Sequence, residues 1–293
     1  MNVALVVNPR AGGGRARRIG DDIARELKSR QLEFTLVKEN SIEKTIQSIR
    51  HLHEVSNISA IMSVGGDGLA HLLFPLAIEF SLPIFVVPAG TGNDFARTVG
   101  TYGLGTTQMV DLMSTQHPTL IDMGLIFHAT DRIWFGQVLS TGFDSVVNER
   151  ANSFTRVKGK MKYLLAIARE LPFFVPRTYL LEMDDKVFET GAMLVAIANG
   201  TSYGGGMQVC PDASQVDGAF DILVLKPVPL SVFLRVFPRV FKGTHISHPA
   251  VNIYRCKKIS LNSKAVAYAD GERIGDLPIS AEIVPQAMST WTL

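Results

Sequence analysis

The sequence has little cysteine and no long apolar run, and each shortage excludes a class of protein. Only two of its 293 residues are cysteines, too few for a disulfide framework or a cysteine zinc site, and this favours a reducing, cytoplasmic compartment. No stretch reaches the roughly 18 consecutive apolar residues of a transmembrane helix. The opening MNVALVVNPR has no basic residues ahead of its short apolar run, so we expect a first strand there and no signal peptide.

The sequence also lacks a strong charge of either sign. It carries 29 basic and 27 acidic residues, for a formal net charge of +2. Bulk charge therefore does not call for a nucleic-acid partner, and we expect none. Because 46% of the residues are hydrophobic, the chain can bury one large core or two ordinary ones.

The first part of the chain alternates short apolar runs with helix-like segments. We predict helices over about 16–29, 41–53 and 69–80, and strands at Val3–Val7, Phe34–Val37, Ala60–Val64 and Pro83–Pro88. Strands that alternate with helices indicate a doubly wound parallel sheet of an α/β domain. We assign residues 1–122 to this domain.

From about Asp122 the pattern changes to strands joined mostly by turns, with helical segments near 144–171 and 229–242. The predicted strands are RIWFGQVLS, RTYLLEMDD, AMLVAIANG, AFDILVLKP, VNIYRCKKISLN and AEIVPQAM. This pattern indicates a mainly antiparallel second domain over residues 123–293, whose last strands could return to the first.

Three glycine-bearing loops follow strands of the predicted parallel sheet: NPRAGGGRAR from Asn8, GGDG from Gly65, and PAGTGNDFAR from Pro88. Ligands of such sheets bind beyond the carboxyl ends of the strands. Backbone N–H groups at a helix start attract phosphate, and glycine allows its close approach. Each loop alone could be a plain turn, but three at one sheet edge favour a phosphate site. Neither the dinucleotide fingerprint nor the P-loop motif occurs in its expected place.

Several aspartates lie in turns where a carboxylate has two interpretations. Asp67 and Asp94 could cap helices, or could hold Mg²⁺ between themselves and bound phosphates. Asp270 lies in the turn of AYADGERIGDLP and Asp217 in SQVDGAFD; for both, the spacing alone favours an ordinary hairpin or loop turn.

Taken together, these motifs resemble one family. VVNPRAGGG, SVGGDG, PAGTGNDFAR, NGTSYGGGMQVCPDASQVDGAFDI and YADGE occur in the order seen in the diacylglycerol kinase catalytic-domain family, which includes soluble bacterial lipid kinases and sphingosine kinases. GGDG is shared with NAD kinases, whereas GTGNDFAR with the later DGAFD and DGE is more specific. The resemblance implies a nucleotide-binding α/β domain, a β-sandwich domain, an active site between them, and transfer of the γ-phosphoryl group from ATP to a lipid hydroxyl.

The resemblance also implies roles for individual residues. Asp67 would lie by the nucleotide phosphates and magnesium, and Asp270 would be the general base, with Glu272 beside it. Ser214 and Ala219, by their carbonyls, and Asp217, by its carboxylate, would hold a structural Mg²⁺. The remaining residues assigned to the nucleotide side are Asn8, Arg15, Gly65, Gly66, Gly68, Thr91, Gly92 and Asn93.

The sequence departs from the family motif at one place, and two alternative functions stay open. The family usually has threonine where Leu69 stands, followed by an Asn-Glu pair that is missing here. One alternative is a NAD kinase-like enzyme. The other is a lipid-binding or regulatory homologue with weakened catalysis.

A lipid substrate also requires access to a membrane. Residues 156–174 and 229–248 combine basic and apolar residues, as amphipathic segments at anionic membrane surfaces do, although helices packed on the sheet would show the same pattern. We therefore expect a cytoplasmic protein that associates peripherally with membranes, and leave a homodimer open. We interpret His245 and His248 as surface residues.

Overall fold

A computed structural model describes residues 1–154 and 160–293, with the backbone alone for Lys160, Lys162 and Leu164. The chain divides into two compact units. The first unit contains Met1–Asp122 and Pro285–Leu293, and the second contains Met123–Val284. The last residues of the chain therefore belong to the same unit as the first.

The first unit is built on a parallel sheet. The strands are β1 (Asn2–Val7), β2 (Glu33–Val37), β3 (Ala60–Gly65), β4 (Ile84–Pro88) and β16 (Ile279–Thr290). They lie in the order β2-β1-β3-β4, and the end of β16 pairs in parallel with β4 through Thr290 and Ile84. The helices are α1 (Arg15–Ser29), α2 (Ile42–Ser56), α3 (Asp67–Glu79), α4 (Asp94–Thr98) and α5 (Thr106–Thr115).

The burial pattern explains this parallel arrangement. All six residues of β3, and all of β1 after Asn2, are buried, as expected for strands covered on both faces. The apolar stripe of α1, with Ile23 and Leu27, packs into the same core as these strands. The predicted α/β class of the first part of the chain is confirmed.

The second unit is built mainly of antiparallel strands. They are β5 (Thr119–His128), β6 (Asp131–Phe135, paired with β5), β7 (Val138–Gly142), β8 (Arg177–Met183), β9 (Lys186–Ala192), β10 (Leu194–Ala198), β11 (Phe220–Leu225), β12 (Val251–Cys256), β13 (Lys258–Asn262), β14 (Val266–Ala269) and β15 (Glu272–Asp276). One group forms a six-stranded antiparallel sheet in the order β12-β11-β10-β7-β14-β15, and a second group contains β9-β8-β13 with the start of β16. Residues of both groups form one apolar core.

The described part of the second unit contains three α-helices: α6 (Phe143–Ser153), α7 (Lys160–Glu170) and α8 (Leu230–Val236). After α8 the chain continues as a 3₁₀ helix over Phe237–Lys242, with Pro238 in its first turn, because proline has no N–H for the α-helical ladder. Aromatic contacts link these elements. The ring of Phe143 in α6 contacts Phe174, which precedes β8, and Phe233 in α8.

Two predicted strands are broken in the structure. RIWFGQVLS is not one strand, because β6 ends at Phe135 and β7 begins at Val138. VNIYRCKKISLN also divides, since β12 pairs with β11 whereas β13 pairs with β8 and β16. In each case the break allows the residues on its two sides to belong to different sheets or turns.

The second amphipathic segment is described in full, and the first only in part. Residues 156–159 of the first lie outside the described residues. None of the described helices is long and apolar enough to cross a membrane. Our interpretation of His245 as a surface residue is wrong: it is 5% exposed, its Nε2 lies 3.1 Å from the Val209 carbonyl oxygen, and burial lowers its pKa.

Candidate functional site

The three glycine loops of the first unit touch one another through their backbones. Gly12 has φ +58°, and a Cβ there would lie 2.2 Å from the carbonyl oxygen of Ala89. A Cβ on Gly90 would lie 2.4 Å from the Cα of Gly66. Any side chain at these positions would push the loops apart, so glycine is a steric requirement of their contact.

Hydrogen bonds hold the loops in this arrangement. The Asn8 N–H donates to the Val64 carbonyl at 3.0 Å, and the Ala89 N–H donates to the Gly65 carbonyl at 2.7 Å. The Arg15 guanidinium reaches the Gly90 carbonyl at 2.8 Å. The expectation that the loops meet at one sheet edge therefore agrees with the geometry of the first unit.

Asp67 connects GGDG to the later GTGNDFAR motif. Its Oδ2 accepts the Asn93 N–H at 2.7 Å and its Oδ1 accepts the Phe95 N–H at 3.3 Å. The carboxylate thus caps α4, a helix other than its own, in the manner of an N-cap side chain. The two interpretations of Asp67, as a helix cap and as a ligand of Mg²⁺, are therefore compatible. The carboxylate that caps α4 also faces the glycine loops.

Asn93 fixes the turn before α4. It has φ +58°, a left-handed conformation that asparagine tolerates better than most residues. Its Oδ1 accepts the Gly90 N–H at 2.8 Å and its Nδ2 donates to the Gly90 carbonyl at 3.1 Å. With 4% exposure, this side chain shapes the loop from inside.

Asp67 and Asp94 bring two carboxylates together above Gly92. A Cβ on Gly92 would lie 2.6 Å from Oδ2 of Asp67 and 3.0 Å from Oδ2 of Asp94. Two carboxylates this close favour a cation between them. Oxygen ligands on one or two carboxylates are the donor set that Mg²⁺ uses with phosphates, so these residues fit that ion.

The remaining nucleotide-side candidates surround this point. Asn8, Arg15, Gly68 and Thr91 are exposed, Gly66 and Gly92 are half-buried, and Gly65 is buried at the end of β3. Asn8 also accepts the Arg10 N–H through Oδ1 at 3.1 Å. Its side chain is therefore directed into its own turn, as an Asx turn requires.

Asp270, in the second unit, binds the backbone at the break between β6 and β7. Its Oδ2 accepts the Gly136 N–H at 2.8 Å, and its Oδ1 accepts the N–H groups of Gln137 and Val138 at 2.9 and 3.2 Å. In return the Asp270 N–H donates to the Val138 carbonyl at 3.1 Å. The carboxylate satisfies amides that the broken strand leaves without a ladder partner.

Asp184 makes a similar clamp elsewhere in the same unit. It has φ +49°, and Asp270 has φ +51°. Asp184 accepts the N–H groups of Lys257 and Lys258 at 3.0 and 2.9 Å, at the break between β12 and β13. Its own N–H donates to the Lys258 carbonyl at 3.0 Å. Turn aspartates that hold strand breaks are thus a repeated structural device of this unit.

Gly136 is the centre of a buried polar network that the sequence did not reveal. Its carbonyl accepts the side-chain amides of Gln137, Asn199 and Gln215 at 3.2, 3.0 and 2.8 Å. The N–H group of Gly136 is itself one of the three that Asp270 binds. The only local signal was the Asn-Gly pair at the end of the predicted strand AMLVAIANG.

Glu272, the other candidate of the DGE motif, begins β15 and is exposed. The candidate structural metal residues lie in the turn before β11. Ser214 Oγ accepts the Val216 N–H at 3.4 Å, and Asp217 Oδ1 accepts the Ala219 N–H at 3.3 Å.

Arg255 bears directly on the metal prediction. Its guanidinium pairs with Oδ2 of Asp217 and lies 3.8 Å from Oδ1 of Asp221. Burial raises the pKa of Asp221, and Arg255 opposes that rise. No cluster of three acidic, histidine or cysteine side chains able to hold a metal occurs in the described part of the chain. A cation at Asp217 would therefore have to share its carboxylate with Arg255.

Comparisons with known proteins agree with this arrangement of motifs. The family model of the diacylglycerol kinase catalytic domain matches residues 2–126. The model described as the YegS C-terminal NAD kinase beta sandwich-like domain matches residues 137–292.

Relatives cover nearly the whole chain. A protein of Mycobacterium tuberculosis (strain H37Rv), named diacylglycerol kinase, is 31% identical over 292 residues, which are 98% of this chain and 93% of the relative. One of Bacillus subtilis (strain 168) with the same name is 28% identical over 225 residues, 74% of this chain and 72% of the relative. A solved protein of Bacillus anthracis strain Sterne, also described as a diacylglycerol kinase, shares the fold with a TM-score of 0.79 at 21% identity, covering 100% of this chain and 97% of its own.

Proposed function

Because the chain belongs to the diacylglycerol kinase catalytic-domain family, a family of lipid kinases, we propose that it transfers the γ-phosphoryl group of ATP to the hydroxyl of a lipid. Diacylglycerol is the first candidate acceptor. The observation that carries most weight is the pair of hydrogen bonds from Asn93 and Phe95 to Asp67. They join the widely shared GGDG to the more specific GTGNDFAR at one sheet edge, where phosphate would bind.

On the nucleotide side, the chain would act mainly by positioning and charge. Gly13 and Gly14, both with positive φ, and the first turn of α1 present backbone N–H groups at the end of β1, and Arg15 adds charge. Asp67 and Asp94 would hold Mg²⁺, which when bound neutralises charge on the phosphates. The Asp67 carboxylate is already fixed by two amides, so little ordering is needed on binding.

On the acceptor side, we propose Asp270 as the general base that takes the proton of the lipid hydroxyl. The amides of Gly136, Gln137 and Val138 fix the orientation of this carboxylate. A base held by backbone groups needs no side-chain reordering before it accepts a proton. Glu272 adds a second negative charge beside it.

We further propose that α8 and the following 3₁₀ helix contact the membrane. Leu230, Leu234 and Phe241 are 44%, 56% and 50% exposed, and the adjacent Arg235, Arg239 and Lys242 are exposed cations. Apolar side chains flanked by basic ones are the pattern of a segment that lies on an anionic bilayer surface.

The test is a labelled-ATP assay with diacylglycerol and NAD as separate acceptors. The assay is then repeated with a membrane lipid extract as the acceptor. We expect magnesium-dependent labelling of diacylglycerol, none of NAD, and loss of labelling in Asp67→Asn. The matched control is Asp22→Asn, a half-buried aspartate of α1 paired with Arg25. Labelling of NAD alone would overturn the proposal. No labelling of any lipid by a folded wild-type protein that binds ATP would support the weakened homologue.

A further inference from the structure

One peptide group of the second unit lies between the Asp270 carboxylate and three buried side-chain amides. It is the peptide that joins Gly136 to Gln137. Its N–H, that of Gln137, donates to Oδ1 of Asp270 at 2.9 Å. Its carbonyl, that of Gly136, accepts the side-chain amides of Gln137, Asn199 and Gln215 at 3.2, 3.0 and 2.8 Å. Because a peptide group is planar and rigid, whatever holds its carbonyl also fixes the direction of its N–H.

The amide network is larger than the Gly136 carbonyl requires. Gln137, Asn199 and Gln215 are 2%, 0% and 7% exposed, and burying polar side chains costs free energy that their hydrogen bonds must offset. A carbonyl oxygen has two lone pairs, so two donors satisfy it. A third buried donor on the same oxygen therefore points to a function beyond satisfying that oxygen.

The clamp at Asp184 shows what such a turn needs for stability alone. Asp184 binds the amides of Lys257 and Lys258, and the carbonyl of the peptide between them accepts the Ile283 N–H at 2.9 Å. That donor is an ordinary backbone group. Among the residues that the structure describes, side-chain amides hold the corresponding carbonyl at the Asp270 clamp and not at the Asp184 clamp. The additional amides thus accompany the proposed base.

Gln215 is the member of the network that can be changed most cleanly. Its Nε2 makes the shortest of the three bonds, and it reaches Gly136 from a turn 79 residues further along the chain. Gln137 and Asn199 also hold backbone. The N–H groups of Asn199 and Gly200 donate to the Gln137 carbonyl at 2.8 and 3.0 Å, and a Cβ on Gly200 would lie 2.2 Å from Oε1 of Gln137.

We propose that Gln215 is a positioning residue for the general base. Its amide holds the Gly136 carbonyl and thereby fixes the peptide plane from which the Gln137 N–H reaches the Asp270 carboxylate. Hydrogen bonds linked in this way also strengthen one another, by about 10–30% per bond. A working geometry has to be kept within about 0.5 Å, and a misplacement of about 1 Å costs about 10²-fold in rate. This inference rests on the proposed function, because it takes Asp270 as the base.

The test is Gln215→Met, which keeps the length of the side chain and removes its donor. We expect kcat for diacylglycerol phosphorylation to fall about ten-fold, less than for a full misplacement of the base. The KM for diacylglycerol and the affinity for ATP should stay within about two-fold of wild type, because the loss affects the chemical step.

The matched control is Thr290→Val, which removes another buried donor to a backbone carbonyl. The Thr290 hydroxyl is in the first unit, 1% of the residue is exposed, and Oγ1 donates to the Ile84 carbonyl at 2.7 Å. Ile84 begins β4, whereas the glycine loop follows the other end of that strand. We expect a lower melting temperature and an unchanged kcat.

Gln215→Glu gives a readout that a purely structural role would not move. The introduced carboxyl group has nearly the same shape, but when ionised it presents only acceptors to the Gly136 carbonyl, and when protonated it carries an O–H donor. Burial keeps a carboxyl group protonated to higher pH. At about pH 5.5 the kcat of this variant, relative to wild type at the same pH, should therefore exceed the relative kcat of Gln215→Met by about five-fold. Equal relative kcat values of the two variants from about pH 5.5 to about pH 8 would overturn the proposal.

Asp270→Asn distinguishes failure of this inference from failure of the proposed function. If that variant loses turnover while Gln215→Met keeps kcat within about two-fold of wild type, Asp270 remains the base and Gln215 is a structural residue, even where Gln215→Met lowers the melting temperature. If Asp270→Asn keeps a kcat near that of wild type, the assignment of the base is wrong, and the positioning function of Gln215 is wrong with it.

Discussion

Asp270→Asn separates the two functions that the structure allows for this residue. The substitution preserves size, and asparagine tolerates the φ of +51°. It replaces one carboxylate oxygen by an NH₂ group, so at least one of the N–H groups of Gly136, Gln137 and Val138 would face a donor. All three residues are buried, and one unsatisfied buried N–H costs about 1–3 kcal/mol of folding free energy.

The effect on turnover depends on whether Asp270 is also the base. A loss of about 1–3 kcal/mol leaves a domain of ordinary stability folded at 25 °C, so a purely structural residue would leave kcat nearly unchanged. Loss of a general base lowers kcat by about 10²–10⁴-fold. We expect the larger loss, with ATP affinity retained. The measurements are urea unfolding, ATP binding by calorimetry, and lipid phosphorylation at saturating ATP.

Asp184→Asn is the control that the chain itself supplies. It has the same conformation and the same kind of backbone clamp, but the amides of Lys257 and Lys258 belong to exposed residues. Water can replace the lost bonds, so we expect at most about 1 kcal/mol of destabilisation and unchanged kcat. If Asp270→Asn keeps kcat within about three-fold of wild type while losing stability, Asp270 is a clamp like Asp184, and its assignment as the base is wrong.

Three further changes test other parts of the two units. Gly90→Ala places a Cβ 2.4 Å from the Gly66 Cα and should cost about 1–3 kcal/mol and weaken ATP binding, measured by unfolding and calorimetry; Gly191→Ala, where the nearest atom is 3.6 Å away, should be nearly neutral. Arg255→Ala frees Asp217, so Mg²⁺ should raise the melting temperature of this variant more than that of wild type; equal shifts would argue against a metal at Ser214, Asp217 and Ala219. Burial raises the pKa of Asp144 from 3.8 to about 6, so its contribution to stability is present below pH 4 and is lost as pH rises through 6. Asp144→Asn should remove this pH dependence and stabilise the protein at pH 7 by on the order of 2 kcal/mol. If the urea midpoint of the wild-type protein does not change between about pH 4 and pH 6, the prediction is contradicted.

The parallel half of the fold could be predicted because its signals are local. β1 and β3 are apolar throughout and are buried throughout, and each is followed by glycine and a helix. The rule that parallel strands present their carboxyl ends at one edge then places the three loops together. Only the partners within that site required coordinates, such as the bond from Asn93 to Asp67.

The antiparallel half was harder because its decisive contacts are distant in sequence. Nothing in RIWFGQVLS marks a break, since apolar residues stand on both sides of Gly136 and Gln137. The break is stabilised by Asp270, 134 residues after Gly136. A spacing argument cannot pair a turn aspartate with amides so far away, which is why Asp270 appeared to be an ordinary hairpin residue.

Leu69 is the departure from the family motif that packing explains. A Cβ placed on Gly65 would lie 2.8 Å from Cδ2 of Leu69, so the leucine side chain folds back over the end of β3. The Leu69 N–H donates to the Gly66 carbonyl at 3.1 Å, a backbone bond that any residue other than proline can make. The loop geometry that positions Asp67 therefore depends on contacts of the backbone and the glycines. Leu69 has no hydroxyl, and its apolar side chain covers the end of β3 instead. Leu69→Thr should accordingly leave the Asp67 hydrogen bonds intact, and a gain in ATP affinity in that variant would isolate what the hydroxyl contributes.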